Sequence, residues 1–146
     1  LSTRTHLDLF DAPKVYNVMD ELTEEKSAII DKEKLVEINP ELILLDLSGK
    51  ELLDEDMQAD PNFYKSLDAF KNKKAYYIMP YFTYGMNFDT ALLDMYYMGS
   101  LAHPDKFSDV DIAAKAAEIY TVFVGKDVYN DLLGTYPESF KESNVE

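Results

Sequence analysis

The tightest constraint on this chain is a pair of apolar runs of strand length with one helix-sized segment between them. Leu42-Ile43-Leu44-Leu45-Asp46-Leu47 is interrupted by a single aspartate, and Ser48-Gly49 ends it. A run that does not alternate suits a strand covered on both faces, as in a parallel sheet. Ala75-Tyr76-Tyr77-Ile78-Met79 is the second run, stopped by Pro80. Between them, Asp60-Pro61 is a strong helix start, a capping carboxylate followed by proline at the first helical position. Phe63, Leu67 and Phe70 then form an i, i+4, i+7 stripe, and Lys71-Asn72-Lys73-Lys74 places positive charge where the helix dipole favours it. Strand, helix and strand over about thirty residues make a βαβ unit, expected to cross over right-handed.

The remaining patterns supply mostly helices. Residues 30–38 read as a helix capped by Asp31, with Leu35 and Ile38 on one buried stripe. Asn39-Pro40 stops it, because the residue before proline avoids the α region. Residues 51–56 read as a short polar helix or turn. Residues 3–10 read as a short helix with Leu7 and Phe10 on one face, and residues 14–18 as a weak edge strand. Asn87 or Asp89 caps a helix over 88–98, and Asp109 caps one over 110–124. The latter is expected to turn Ile112, Ala116, Ile119, Tyr120 and Phe123 inward, with Gly125 just past its end. A last helix spans 128–133 and ends at Gly134, and the polar tail 138–146 is expected to fray. The predicted fold class is α/β, a small mostly parallel sheet flanked by helices, with residues 1–146 as a single domain. Two strands, or three with the weak one, fall short of the ~5–6 of an ordinary doubly wound sheet.

Composition narrows the function classes. Lys plus Arg number 14 and Asp plus Glu 28, a net charge of −14. A surface this acidic repels phosphate backbones and anionic lipid, which removes nucleic-acid and membrane-surface binding as main roles. Cysteine is absent, so disulfides, thiolate zinc sites, iron–sulfur clusters and cysteine nucleophiles are excluded. His6 and His103 are the only histidines and lie far apart. No apolar run approaches the ~18–20 residues of a membrane span, and no signal-peptide pattern is present. The chain opens on Leu1, in what reads as the middle of an element, so a processed product or excised piece is expected. The phosphate-loop, dinucleotide and nucleophile-elbow motifs are all missing. No catalytic residue, cofactor or resident metal is nominated.

Four constellations remain. Tyr81, Tyr84 and Asn87 follow the carboxyl end of the second strand, where open α/β sheets bind ligands. They offer hydroxyls, an amide and flat apolar faces, the mix of a ligand wall. Spacing alone favours a packed loop covering the sheet edge. Ser48, after the first strand, either lines the same cleft or makes a plain turn. Glu33, in the first turn of its helix, is favoured there by the dipole whatever else it does. Glu51, Asp54, Glu55 and Asp56 lack the spacing and central glycine of a calcium loop and read as a solvated face.

From Glu33 to Tyr81 the order of these elements resembles a known family. Asp31-Lys32-Glu33-Lys34-Leu35-Val36-Glu37-Ile38-Asn39-Pro40-Glu41-Leu42-Ile43 is similar to the S-x-E-x-[LV]-[LV]-x-x-[NS]-P-[DE]-[LV]-I segment of metal-chelate solute-binding proteins. These serve ABC importers of ferric siderophores, haem and cobalamin. Asp60-Pro61, the run from Leu67 to Tyr76, and Pro80 resemble the stretch that iron-transport members carry next. Residues 94–99, Leu101, Pro104 and 107–110 extend the likeness, which covers about 9–136. Residues 9–18 stand where that family has paired glycines, and here the pair is missing.

The resemblance implies a bilobal protein with the ligand between two α/β lobes. This chain would be the C-terminal lobe, with the N-terminal lobe, linker helix and first strand of this lobe lying before Leu1. It implies capture of an iron complex of siderophore type outside the cytoplasm, in the periplasm or as a membrane-anchored lipoprotein, and delivery to a membrane permease. Glu33 matches the glutamate that docks an arginine pocket on the permease, and Tyr81, Tyr84 and Asn87 match the segment with ligand contacts. Other readings stay open: haem or cobalamin in place of a siderophore, and an isolated lobe that dimerises as an interaction module. A nitrogenase-like oxidoreductase shares the two-lobe architecture but needs the cysteines this chain lacks.

Overall fold

The computed structural model describes residues 1–6 and 11–145. Two compact units make it up, Leu1–Leu7 with Asn17–Ile78 and Phe140–Glu146, and Asp8–Tyr16 with Met79–Ser139. The fold class is α/β, with a small parallel sheet flanked by helices.

The first unit opens with β1 (Ser2–Arg4), paired antiparallel with β2 (Ser27–Ile29). A helix was expected from residue 3, but Thr3 and Thr5 are β-branched and favour extended backbone. Thr5 is fully buried, and its hydroxyl donates to the Glu25 carbonyl. The rest of that expected helix, residues 7–10, lies outside the described residues. No strand forms over 14–18; Asn17 instead accepts from the Met19 N–H at 3.2 Å and caps a 3₁₀ turn, Val18–Glu21.

Helix α1 (Lys32–Ile38) starts as the sequence predicts, with Asp31 accepting from the Lys34 N–H at 2.6 Å. It ends at Asn39 in the left-handed region, φ 43°. Strand β3 (Ile43–Asp46) is half-buried along its length, not covered on both faces. Among the described residues it pairs with β4 alone, so it is an edge strand. Three helices follow: α2 (Lys50–Ala59), α3 (Pro61–Ser66) and α4 (Asp68–Lys71). The single helix expected after Pro61 breaks at Leu67, whose ψ of 133° is extended. Leu67 drops into the core at 1% exposure, and the Asn39 side-chain oxygen accepts the Asp68 N–H at 2.9 Å to restart the helix. Strand β4 (Ala75–Ile78) runs parallel to β3, in register from Ile43↔Ala75 to Asp46↔Ile78.

Residues 140–143 of the C-terminal tail, expected to fray, instead pair with the other edge of β4. Phe140 N–H donates to Tyr77 C=O and Tyr77 N–H to Lys141 C=O, each at 2.9 Å, and Ser143 N–H donates to Ala75 C=O at 2.8 Å. Ser143 is buried, and its hydroxyl donates to the Tyr77 hydroxyl at 3.1 Å.

The second unit is helical: α5 (Phe88–Ala102), α6 (Ile112–Val124) and α7 (Tyr129–Thr135). Asp111, not Asp109, caps α6, accepting from Ala114 N–H at 2.9 Å. A turn that bonds Val110 N–H to Phe107 C=O at 3.0 Å takes up the residues before it. Ala116, Ile119 and Tyr120 are buried, but Phe123 is exposed with Val122 and Val124. Gly125 ends the helix at φ 83°, as predicted for a residue free of a Cβ. Gly134 lies inside α7 and does not stop it. No helix among the described residues is long and apolar enough to cross a membrane.

Candidate functional site

After β4 the chain enters the second unit at Met79 and turns into a short hairpin. Phe82 and Met86 form an antiparallel bridge, Thr83 N–H donates to Gly85 C=O at 3.0 Å, and Asn87 N–H donates to Tyr81 C=O at 2.8 Å. The tip residue is Tyr84, at φ 57°, a conformation that costs a bulky side chain energy and that the closed hairpin holds. Its ring is fully exposed, at 107% of the reference area.

Helices α5 and α6 hold the hairpin's root. The fully buried Asp94 accepts the Met79 N–H at 3.2 Å. Tyr120 places its hydroxyl 3.2 Å from the Thr90 hydroxyl and 3.8 Å from Met79 Sδ. Burial pushes the Tyr120 phenol up to about 12, so it stays neutral and serves as a structural post.

The three predicted residues of this segment therefore share one hairpin but differ in access. Tyr84 and Asn87 are exposed, and the Asn87 side chain makes no cap bond to α5. Tyr81 is buried at 5% exposure and supports the turn from beneath. Ser48 belongs to the first unit, where it is exposed and its N–H donates to Asp46 Oδ1 at 2.8 Å, closing a 3₁₀ turn. Glu33 is exposed in the first turn of α1, beside a surface pair of Lys34 and Glu37 at 2.9 Å.

The acidic stretch is divided among local partners. Asp54 pairs with Lys50, and Asp56 pairs with Lys32 at 2.9 Å while accepting from the Tyr64 hydroxyl. The Tyr64 bond, then Lys32, hold the Asp56 carboxyl below its usual range. No group of three or more metal-ligating side chains gathers among the described residues.

Sequence reasoning passed over Phe82, Met86 and Phe88, which flank Tyr84 and are 47%, 39% and 68% exposed. Their signal in the sequence is compositional, four large apolar residues among 82–88, spread over the two arms, the tip and the first residue of α5. His103, too far in sequence from His6 to suggest a joint site, lines a cavity of about 300 Å³ in the second unit with Ala12, Pro13, Lys14, Lys106 and Phe107.

No protein-family model matches the chain, and no curated protein does. Among solved structures, the crystal structure of Helicobacter pylori CeuE with Ni(II) bound is similar in fold, with a TM-score of 0.63 and 24% identity. The match covers 92% of this chain and 44% of that one, so this chain spans less than half of its neighbour's length.

Proposed function

We propose that this protein is the substrate-binding component of an ABC importer, taking up a metal chelate of iron type and passing it to a membrane permease. The fold likeness to a metal-bound protein carries the reading, since it agrees with a family resemblance reached from residue order alone. On this reading the chain is one lobe of a two-lobed carrier working outside the cytoplasm, not an enzyme. Tyr84 and Asn87 meet the ligand directly. Tyr81, buried at the hairpin's base, holds that hairpin in shape. Glu33 docks the permease, because an exposed carboxylate at a helix start can take a bidentate arginine.

Equilibrium dialysis against ferric siderophores, haem and cobalamin tests the ligand claim. A chelate retained at micromolar concentration is expected, and retention of none sinks the claim. Reversing Glu33 to lysine in a reconstituted importer is expected to cut transport while leaving ligand binding intact. Unchanged transport would remove its docking role. Light scattering tests the dimerising-module alternative, for which a monomer is the adverse result.

A further inference from the structure

The residues around Tyr84 say what kind of chelate suits this face. Phe82, Tyr84, Met86 and Phe88 put four large apolar side chains into solvent within seven residues. Exposing that much aromatic surface beside one short hairpin is unfavourable unless something covers it. The face is also preformed, closed by the bridge between Phe82 and Met86 and rooted through Asp94. A preformed site loses little entropy on binding.

Charge decides among occupants. Residues 79–102 contain no Lys, Arg or His, and their only carboxylates are Asp89 and Asp94. Asp89 sits at the start of α5, accepting the Thr90 N–H at 2.7 Å, and the whole chain carries −14. A polyanionic chelate would meet like charge and no cationic side chain from residues 79–102. A neutral or cationic one would meet aryl faces, a polarisable thioether and the Tyr84 hydroxyl and Asn87 amide as orienting groups.

We infer that the hairpin face at residues 82–88 receives a metal chelate of neutral or positive net charge, gripped through its aryl and methylene surface. This rests on the chelate-carrier reading above and names the ligand class for that site. A ferric tris-hydroxamate belongs to the class, since three singly charged hydroxamates neutralise Fe(III). A ferric tris-catecholate does not, since three doubly charged catecholates leave a trianion.

The test is equilibrium dialysis of the protein against a hexadentate ferric tris-hydroxamate and a hexadentate ferric tris-catecholate, with iron measured on both sides. At low ionic strength the neutral chelate is expected to bind about tenfold tighter or more, and salt should narrow the gap. Equal or tighter binding of the trianion overturns the inference and leaves the carrier reading standing. Binding of neither, nor of haem or cobalamin, overturns the carrier reading itself.

Exposed positions allow variants that leave the core alone. Replacing Phe82→Ser and Phe88→Ser together should weaken the neutral chelate at least fivefold, and Thr83→Lys should tighten the trianion. Unchanged neutral binding in the double variant overturns the role of the aromatic face. Self-association lost in the double variant, with no chelate bound by the parent, assigns the face to a second copy and overturns the inference.

Discussion

A single lysine organises a side-chain cluster in the first unit. Lys32 lies 2.9 Å from Asp56 and 3.4 Å from Asp60, with its ammonium 4.9 Å from the Phe63 ring centre. Tyr64, 2% exposed, completes the cluster by donating to Asp56. Tyr64→Phe should therefore cost about 1–3 kcal/mol, since a buried phenol bonded to a carboxylate is lost while the ring stays. Urea denaturation of the two proteins would measure it, and a loss below a few tenths would mean solvent replaces the bond. The pH dependence has a definite sign. Asp56 is held low by Tyr64 and Lys32, and Asp68 by Lys71 and Asn39. A depressed carboxylate adds stability that is fully present above the ordinary value of about 4 and is lost as pH falls through the folded-state value. Asp56→Asn should flatten the stability curve in that acid range only. The cluster was only partly legible. Asp60 announced itself as a cap, but Tyr64 lies between the stripe positions Phe63 and Leu67, and no periodicity reveals that a break will bury it.

At the scale of elements, the misread boundaries trace to identifiable hydrogen bonds, some of them between residues distant in sequence. Asn39 both ends α1 with a positive φ and caps α4 through its side chain. Sequence reading saw the first role, through Pro40, but the second joins residues 29 apart and leaves no local trace. The two roles separate by substitution. Asn39→Ala loses the cap and gains strain at φ 43°, whereas Asn39→Gly loses the cap but keeps the turn. The alanine variant should be the less stable by about 1 kcal/mol, readable as a difference in urea midpoint. Gly99, inside α5, makes the opposite point about propensity. Alanine there should gain about 1 kcal/mol on intrinsic grounds, but the Phe107 ring occupies the space a Cβ would take. Gly99→Ala is therefore expected to destabilise by about 1–3 kcal/mol, and pairing it with Phe107→Leu should restore most of the loss. The tail shows a further limit: residues 138–146 look frayed by composition, yet β4 has a free edge, and backbone groups on an edge take whichever strand reaches them.

At the scale of the whole molecule, the parallel pair of strands and the loop that follows the second one were legible, because both follow from apolar runs and their spacing. The character of the site was not, because it depends on which tyrosine a hairpin buries and which it lifts out. Net charge acts at this scale as well, and it opposes the local pairs. Ion pairs such as Lys34–Glu37 and Lys71–Asp68 are exposed, and such pairs contribute about 0–1 kcal/mol each. Against them stands the self-repulsion of −14 charges on 146 residues. Salt weakens both, but the repulsion is summed over many long-range pairs, which a screening length of about 8 Å at physiological salt removes first. Raising sodium chloride from low millimolar to half molar should therefore raise the melting temperature by a few degrees, and a fall would mean that the local pairs dominate. Acid separates the two effects again. Lowering pH toward the sequence pI of 4.4 removes repulsion, while protonating Asp56 and Asp68 removes their contributions. Stability should peak near about pH 5, above the depressed carboxylates and below full ionisation. In high salt the peak should move toward neutral pH, because screening has already removed the repulsion that acid would relieve. Melting curves over pH at low and high salt would show that displacement, and a peak that stays fixed would refute the charge account.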